Sequence, residues 1–376
     1  MVFQYFLFSC AKFRLDRKGN YYEKAYEVII MQKANSLRFS ILIFGLIQCI
    51  FLFFARYSPA DEVPYNYNHG LGPLDFRSSS PGQSIRLIMP ILMPASVKPG
   101  LGINIVTSTS NVWLNENQYI IDYEIVDAHM ELTYGFNNDL GLIVFFDQRH
   151  YWGGFMDGFI EKFHDMFGIE QDGRDQWPNN ETHSIVKNSE GQIIYSNNNI
   201  NGELNNSGIG LGFNYIITHG SKRWIPAISF GAITRYCING PGSSERPIDF
   251  GFQLGFSKRF GSRWHFYGQV GFEQFAQKEF MQGKLIRKFK SNAFSSLASI
   301  AWYLYPNFPI YVQYNFHEGV IENFGSFKNP DHQLNIGIKW QMDKDSVLQI
   351  GLIENFILVD NSNDFGLLFG YTINLN

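Results

Sequence analysis

From Leu101 to the C-terminus, short strand-like runs are joined by two kinds of connection taken in turn, a tight polar turn and then a longer polar loop. The tight turns are Asn137-Asn138-Asp139, His219-Gly220-Ser221-Lys222, Gly261-Ser262, Pro306-Asn307 and Asp343-Lys344-Asp345. The longer links fall near 111–118, 150–207, 238–247, 277–291, 320–332 and 358–363. All short ends then lie on one side and all long ends on the other. Outer-membrane barrels have this asymmetry, with brief periplasmic turns and longer extracellular loops. The expected fold is therefore all-β: an antiparallel up-and-down transmembrane β-barrel over residues 100–376, of about 12 strands, an even number that leaves both ends on the periplasmic side. The expected strands are 100–110, 118–134, 140–149, 208–218, 223–237, 248–260, 263–276, 292–304, 309–319, 333–342, 346–357 and 364–375.

Period-two alternation supports each of these. Ile248, Phe250, Phe252, Leu254 and Phe256 share one face against Asp249, Gly251, Gln253 and Gly255. Trp264, Phe266, Val270 and Phe272 oppose His265, Tyr267, Gln269 and Glu273, and Ile310, Val312, Tyr314 and Phe316 oppose Gln313, Asn315 and His317. Leu334, Ile336, Ile338 and Trp340 oppose Gln333, Asn335 and Lys339. Alternation means a half-buried strand, and the apolar face can be buried inside a sandwich or against lipid. Long strands, polar faces mixing glycine with ionisable groups, and the unbroken short-long rhythm favour lipid. A Greek-key sandwich must send some links across between sheets. The 36 Phe and 20 Tyr suit lipid-facing positions and interfacial girdles. No stretch after Asp61 approaches the roughly 20 apolar residues of a spanning helix.

The polar faces name the expected lumen lining: Asp122, Glu124, Asp249, Gln253, Gln269, Glu273, Gln313, Asn315, Asn335 and Lys339, with Lys258 as a further candidate. A barrel of this size is wider than an eight-stranded one packed with side chains and narrower than an open sixteen-stranded porin. Its polar interior is either a mutually satisfied filling or a narrow conduit.

Upstream, the apolar run 41–55 follows Lys33 and Arg38 and precedes Ser58-Pro59-Ala60, the pattern of a secretory signal peptide over 31–60 cleaved before Asp61. Alternatives are a retained anchor helix and a lipoprotein signal at Cys49. Residues 1–30, acidic at Asp16, Glu23 and Glu27, read as a spurious upstream extension, with Met31 as the start. Residues 61–99 form a periplasmic or lumenal lead-in, because Pro90, Pro94 and Pro99 break the apolar run that begins at Ile85. Cys237 is left alone, and no cysteine spacing suggests a zinc or redox motif.

Within the long loop 150–207 the period turns helical. Phe155, Phe159, Phe163 and Phe167 recur every fourth residue, predicting an amphipathic helix over 155–167. Asp157, Glu161 and His164 project together from one side, a constellation that suits divalent-metal binding or acid-base chemistry. The preferred reading is that they are polar flanks of a helix packed on the barrel mouth, since helix periodicity alone produces such clusters. With Arg174 they are the only catalytic candidates. The Asn-rich stretch 179–206 is expected to be a mobile extracellular loop.

Arg77 to Pro81, Asn111-Val112-Trp113, the Asp122 and Glu124 pair, and above all GGFMDGFIEKFHDMFG followed by Arg174 resemble the DUF3187 family of Gram-negative envelope proteins. The resemblance implies an outer-membrane location and no particular chemistry.

Three functions fit: a passive conduit or structural envelope protein, a membrane-embedded enzyme acting on outer-leaflet lipid, or a surface adhesion protein. The enzyme lacks a recognisable nucleophile, since no Gly-x-Ser-x-Gly elbow is present. The implied partners are outer-membrane lipid, the outer-membrane assembly machinery and a small solute. No cofactor or metal is implied, and a net charge of -4 offers no basic footprint for nucleic acid.

Overall fold

The computed structural model describes residues 71–89, 97–168, 171–188, 190–198, 200, 205–220, 225–240, 248–282, 285–322, 324–355 and 362–375. The expected upstream extension (1–30) and signal peptide (31–60) lie outside the described residues.

Twelve strands close into one antiparallel ring. They are β1 (Gly100–Glu116), β2 (Tyr119–Gly135), β3 (Leu140–Trp152), β6 (Asn206–His219), β7 (Ala227–Asn239), β8 (Ile248–Phe260), β9 (Trp264–Gln274), β12 (Asn292–Tyr305), β13 (Phe308–His317), β14 (Asp331–Gln341), β15 (Ser346–Asn355) and β16 (Phe365–Leu375). Each pairs with its neighbour in that order, and β16 pairs back onto β1 from Leu101↔Leu375 to Asn111↔Phe365, which removes both sheet edges. Between them, the long connections carry the helix α1 (Asp157–Phe167), the hairpin β4 (His183–Lys187) and β5 (Ile193–Asn197), and the hairpin β10 (Glu279–Gln282) and β11 (Leu285–Lys288).

The outer wall follows the alternation. Phe250, Phe252, Leu254 and Phe256 are exposed, whereas Asp249 and Gln253 are buried. Tyr134, Phe136, Phe260, Trp264 and Tyr305 form an exposed aromatic girdle at the tight-turn end. Among the described residues no helix is long and apolar enough to cross a membrane.

Two expected loops are instead strand. β1 and β2 run on to Glu116 and Tyr119 and turn only at Asn117-Gln118, because above the rim β4 pairs with β2 over Tyr119–Asp122 and satisfies its backbone. The stretch 179–206, expected to be a mobile loop, thus contains a hairpin that extends the sheet.

The interior is occupied by the chain itself. Residues 71–89 are buried throughout and thread the lumen. The segment enters near the tight-turn end, where Tyr267 and Tyr311 donate their hydroxyls to the Leu71 carbonyl at 2.6 and 2.8 Å and Lys339 donates to the Pro73 carbonyl at 2.8 Å. It climbs past Ser78, which donates to Asp331, and crests at a 3₁₀ turn, Gln83–Ile85, near the long-loop end. There Ser84 meets the Tyr151 hydroxyl at 2.8 Å. Leu87 and Met89 then descend along β8 and β9, and Lys98, just before β1, pairs with Asp345 at the tight-turn end. Inward glycines leave the room: a Cβ on Gly271 would stand 2.9 Å from Met89 Cβ, and one on Gly351 2.8 Å from Phe76 Cζ. Above the crest an apolar core roofs the lumen, with Ile85, Val112, Ile121, Tyr123, Phe289 and Phe324 among its members.

Candidate functional site

Seen from β2, the lumen wall consists of Tyr123, Ile125, Asp127, His129 and Glu131, since Asp127 and His129 both reach Arg77 of the threaded segment. Buried charges dominate this level. Arg77 lies 3.8 Å from Asp127 and 3.6 Å from Asp147, Arg149 donates to Asp127 at 3.1 Å, and Arg235 grips Asp147 with two bonds of 2.9 and 2.7 Å. Arg86 pairs with Asp249 and donates to Gln277 at 2.8 Å, lying over the Phe275 and Phe289 rings. Charges this deep persist only with partners, and the segment supplies two of the guanidiniums while the wall supplies the carboxylates.

Eight of the expected lumen residues are buried on inward faces, and several of these meet the segment or one another. Asp249 holds Arg86 and also accepts the Leu87 amide, and Lys339 holds Pro73. Gln313 donates to the Leu74 carbonyl at 3.0 Å and to Asn315 at 3.1 Å, and Glu273 accepts from Ser295 at 2.7 Å. Gln253, Gln269 and Asn335 are buried on the same inward faces. The side-chain amides of Gln253 and Asn335 hydrogen-bond to no protein group among the described residues.

Asp122 and Glu124 do not line the lumen, and this corrects the expectation from alternation. In the β1–β2 register Asp122 sits opposite Trp113 and Glu124 opposite Asn111, on the outer wall, while Ile121 and Tyr123 point inward to the apolar roof. Above the exposed apolar belt the inside-out pattern reverses, because the roof is apolar and the outer face is covered by the long loop. Lys258 is likewise on an outward position, opposite Phe266, and its ammonium donates to the Ile225 carbonyl in the turn that precedes β7.

The outer-wall cluster is what the long loop builds. Arg174 donates to Asp157 at 3.0 Å and to Asp364, Asn111 donates to Asp157 at 2.8 Å, and the Asn180 amide donates to the other Asp157 oxygen at 2.7 Å. Glu124 accepts the Phe155 and Met156 amides at 2.7 and 2.5 Å. Burial, with Asp157 nearby, pushes the Asp122 carboxyl, which stands above the rim, up to about 8. Burial also raises Asp364, against the opposing pull of Arg174. Asp157 is thus a fastening, and the expected Asp157, Glu161 and His164 constellation does not converge: Glu161 instead accepts from Asn179 at 3.2 Å. Among the described residues no group of three metal-ligating side chains could hold an ion.

Gly154 fixes the approach of this loop. Its φ of +76° is left-handed, and a Cβ there would lie 1.8 Å from Glu124 Cδ. Gly154→Ala is expected to lose about 1–3 kcal/mol from backbone strain alone. The check is faster proteolysis of the 153–182 segment with an unchanged barrel core.

A family model described as "Protein of unknown function (DUF3187)" matches residues 61–375. None of the curated proteins compared matches the chain. Among solved structures, the COG4313 outer membrane channel from Pseudomonas putida F1 aligns with a TM-score of 0.47 and 11% identity, covering 74% of this chain and 97% of that one. The NanC porin gives 0.40 and 9% over 73% of this chain and 99% of its own, and the KdgM porin 0.37 and 8% over 73% and 99%.

Proposed function

The chain belongs to the DUF3187 family, whose description assigns no activity, and from its own geometry we propose that it is an outer-membrane conduit for small polar solutes held shut by its own N-terminal segment. The observation that carries this reading is how residues 71–89 are held. Polar wall groups grip the segment's backbone carbonyls, at Leu71, Pro73, Leu74 and Ser84. Apolar contacts are confined to patches such as Leu74 and Phe76 against Tyr267 and Tyr311. A purely structural filling has no use for buried amides such as Gln253 and Asn335 that no protein group among the described residues satisfies. Such groups require water, and water between plug and wall is the beginning of a path.

In this reading the 31–60 leader directs export, the tight turns face the periplasm and the long loops face outward. The assembly machinery inserts the barrel, and lipid surrounds the Phe-rich wall. The enzyme alternative draws no support from Asp157 and Arg174, which pair with each other and with Asn111 and Asp364.

Deleting residues 71–89 tests the reading in planar bilayers. The full chain should conduct little, and the deletion should raise conductance about tenfold or more, as a 12-stranded barrel emptied of its filling becomes a water-filled tube. A deletion variant that still shows the heat-modifiable gel mobility of a folded barrel but conducts no better than the full chain would reject it. If the deletion does not fold, Arg86→Ala, which unties the crest from Asp249, should raise the frequency of brief openings, and its silence would reject the reading equally.

A further inference from the structure

The helix α1 is mounted the wrong way round for a surface helix in water. Its buried side is Met156, Asp157 and Ile160, with Asp157 in the polar cluster on the outer wall. Its other side is Phe155, Phe159 and Met166, which are 60%, 55% and 77% exposed. Amphipathic helices bury their apolar stripe, so an exposed one of this composition needs an apolar neighbour.

Position identifies the neighbour. Asn111, Glu124 and Phe365 stand on the outward faces of β1, β2 and β16, and α1 touches all three: Asp157 bonds Asn111, the Phe155 and Met156 amides bond Glu124, and the Phe159 ring lies 5.4 Å from that of Phe365. The helix therefore lies against the outside of the wall, not over the mouth and not in the lumen. Its level follows from the register. Phe365 is the eleventh paired residue counted from Leu375 at the tight-turn end, and the ten steps between them, on a strand tilted by about 40°, climb roughly 26 Å. The apolar band of such barrels is about 25 Å tall. The phenylalanines of α1 are thus continuous, through Phe365 and Phe369, with the upper edge of that band. Lys162 is exposed on the same side as Phe159 and Met166, placed to reach lipid phosphate while its stem lies along the apolar stripe.

We propose that α1 is an interfacial anchor: its Phe155, Phe159 and Met166 side lies in the headgroup-acyl boundary of the outer leaflet, and its polar side fastens the long loop to the wall. The proposal rests on the barrel being embedded in a membrane as read above. A helix of this kind binds through buried apolar area together with attraction to anionic lipid.

Photocrosslinking of the full chain in vesicles of phosphatidylcholine and phosphatidylglycerol tests it. Phe159→p-benzoylphenylalanine should give acyl-chain adducts by mass spectrometry at a yield close to that of the belt control at Phe252, and about tenfold above a loop control at Glu190. Adducts at Phe252 but none at Phe159, or adducts of Phe159 only with a second protein copy, overturn the anchor while leaving membrane embedding intact. No adducts at either site overturn both. If the position-159 variant does not fold, the same comparison at Phe155 and Met166 decides the matter.

Discussion

Arg235→Ala is expected to destabilise the barrel by about 3–5 kcal/mol, the cost of stripping one partner from a buried ion pair. Arg235 reaches from β7 across β6 to Asp147 on β3, and neither side chain is more than 1% exposed. Gly208 of β6 lies directly beneath the bridge, where a Cβ would stand 2.5 Å from the guanidinium carbon. The same guanidinium also donates to Asn206 at 2.8 Å. Removing it leaves Asp147 with only Arg77 at 3.6 Å and Arg149 at 4.0 Å, both already engaged with Asp127. Because Arg77 belongs to the threaded segment, the loss should propagate to the plug: the variant should both unfold at lower urea and leak more in bilayers. Arg235→Met with Asp147→Leu removes both charges and should recover most of the stability, since a buried pair replaced by apolar groups of similar volume is often neutral. A single variant as stable as the parent would mean that Asp147 is served by water or by Arg149 alone.

How much of this was legible in the sequence depends on whether the two faces of a strand meet different surroundings. Within the belt the outward Phe250, Phe252 and Leu254 are exposed and the inward Asp249 and Gln253 are buried in a polar lumen, so alternation separates the faces. Alternation says which residues share a face, however, and not which face is inside. At the top of β2 the surroundings change, and Asp122 and Glu124 turn outward while Ile121 and Tyr123 turn in. The helix shows the same limit: its period located it to within two residues, but nothing in a period says that Phe155 and Phe159 are on the side left uncovered. The threaded segment was the least visible. Its backbone is satisfied by wall side chains and not by a strand ladder, so it carries no periodicity, and its prolines suppress the strand reading. The pairing of Arg77 and Arg86, two charges that tie it down, is not legible in sequence because their partners lie 50 or more positions away. The β4–β5 hairpin was hidden for a related reason. Its Ile185-Val186 and Ile193-Ile194-Tyr195 runs are too short to stand out among polar residues until β2 offers β4 an edge and β4 offers one to β5.

Arg174→Ala should detach the long loop from the wall without opening the barrel, and the effect should grow with pH. The guanidinium is the cation shared by Asp157 and Asp364, and it also lies 5.5 Å over the Trp113 ring. Asp122 and Asp364 both have carboxyls raised by burial, Asp122 to about 8. A raised acid binds more protons folded than unfolded, so the slope of stability with pH is negative. The docked state is favoured most below the ordinary carboxylate value near 4 and loses that contribution as pH climbs toward 8. In the parent, Arg174 holds this drift in check. Without it, the docked loop should be close to the parent at pH 5 and weaker by about 3–5 kcal/mol at pH 8, the range for an uncompensated buried carboxylate. The measurement is the cleavage rate of the 153–182 segment by protease, normalised to an unstructured peptide at each pH, with the urea midpoint of the barrel as the control. Arg174→Lys keeps the charge but loses the fork between the two carboxylates, and should fall between the two. A loss in Arg174→Ala that is the same at pH 5 and pH 8 would show that the guanidinium acts through contacts that do not vary with pH, such as its packing against Trp113, and that the titration of Asp122 and Asp364 plays no part in holding the loop.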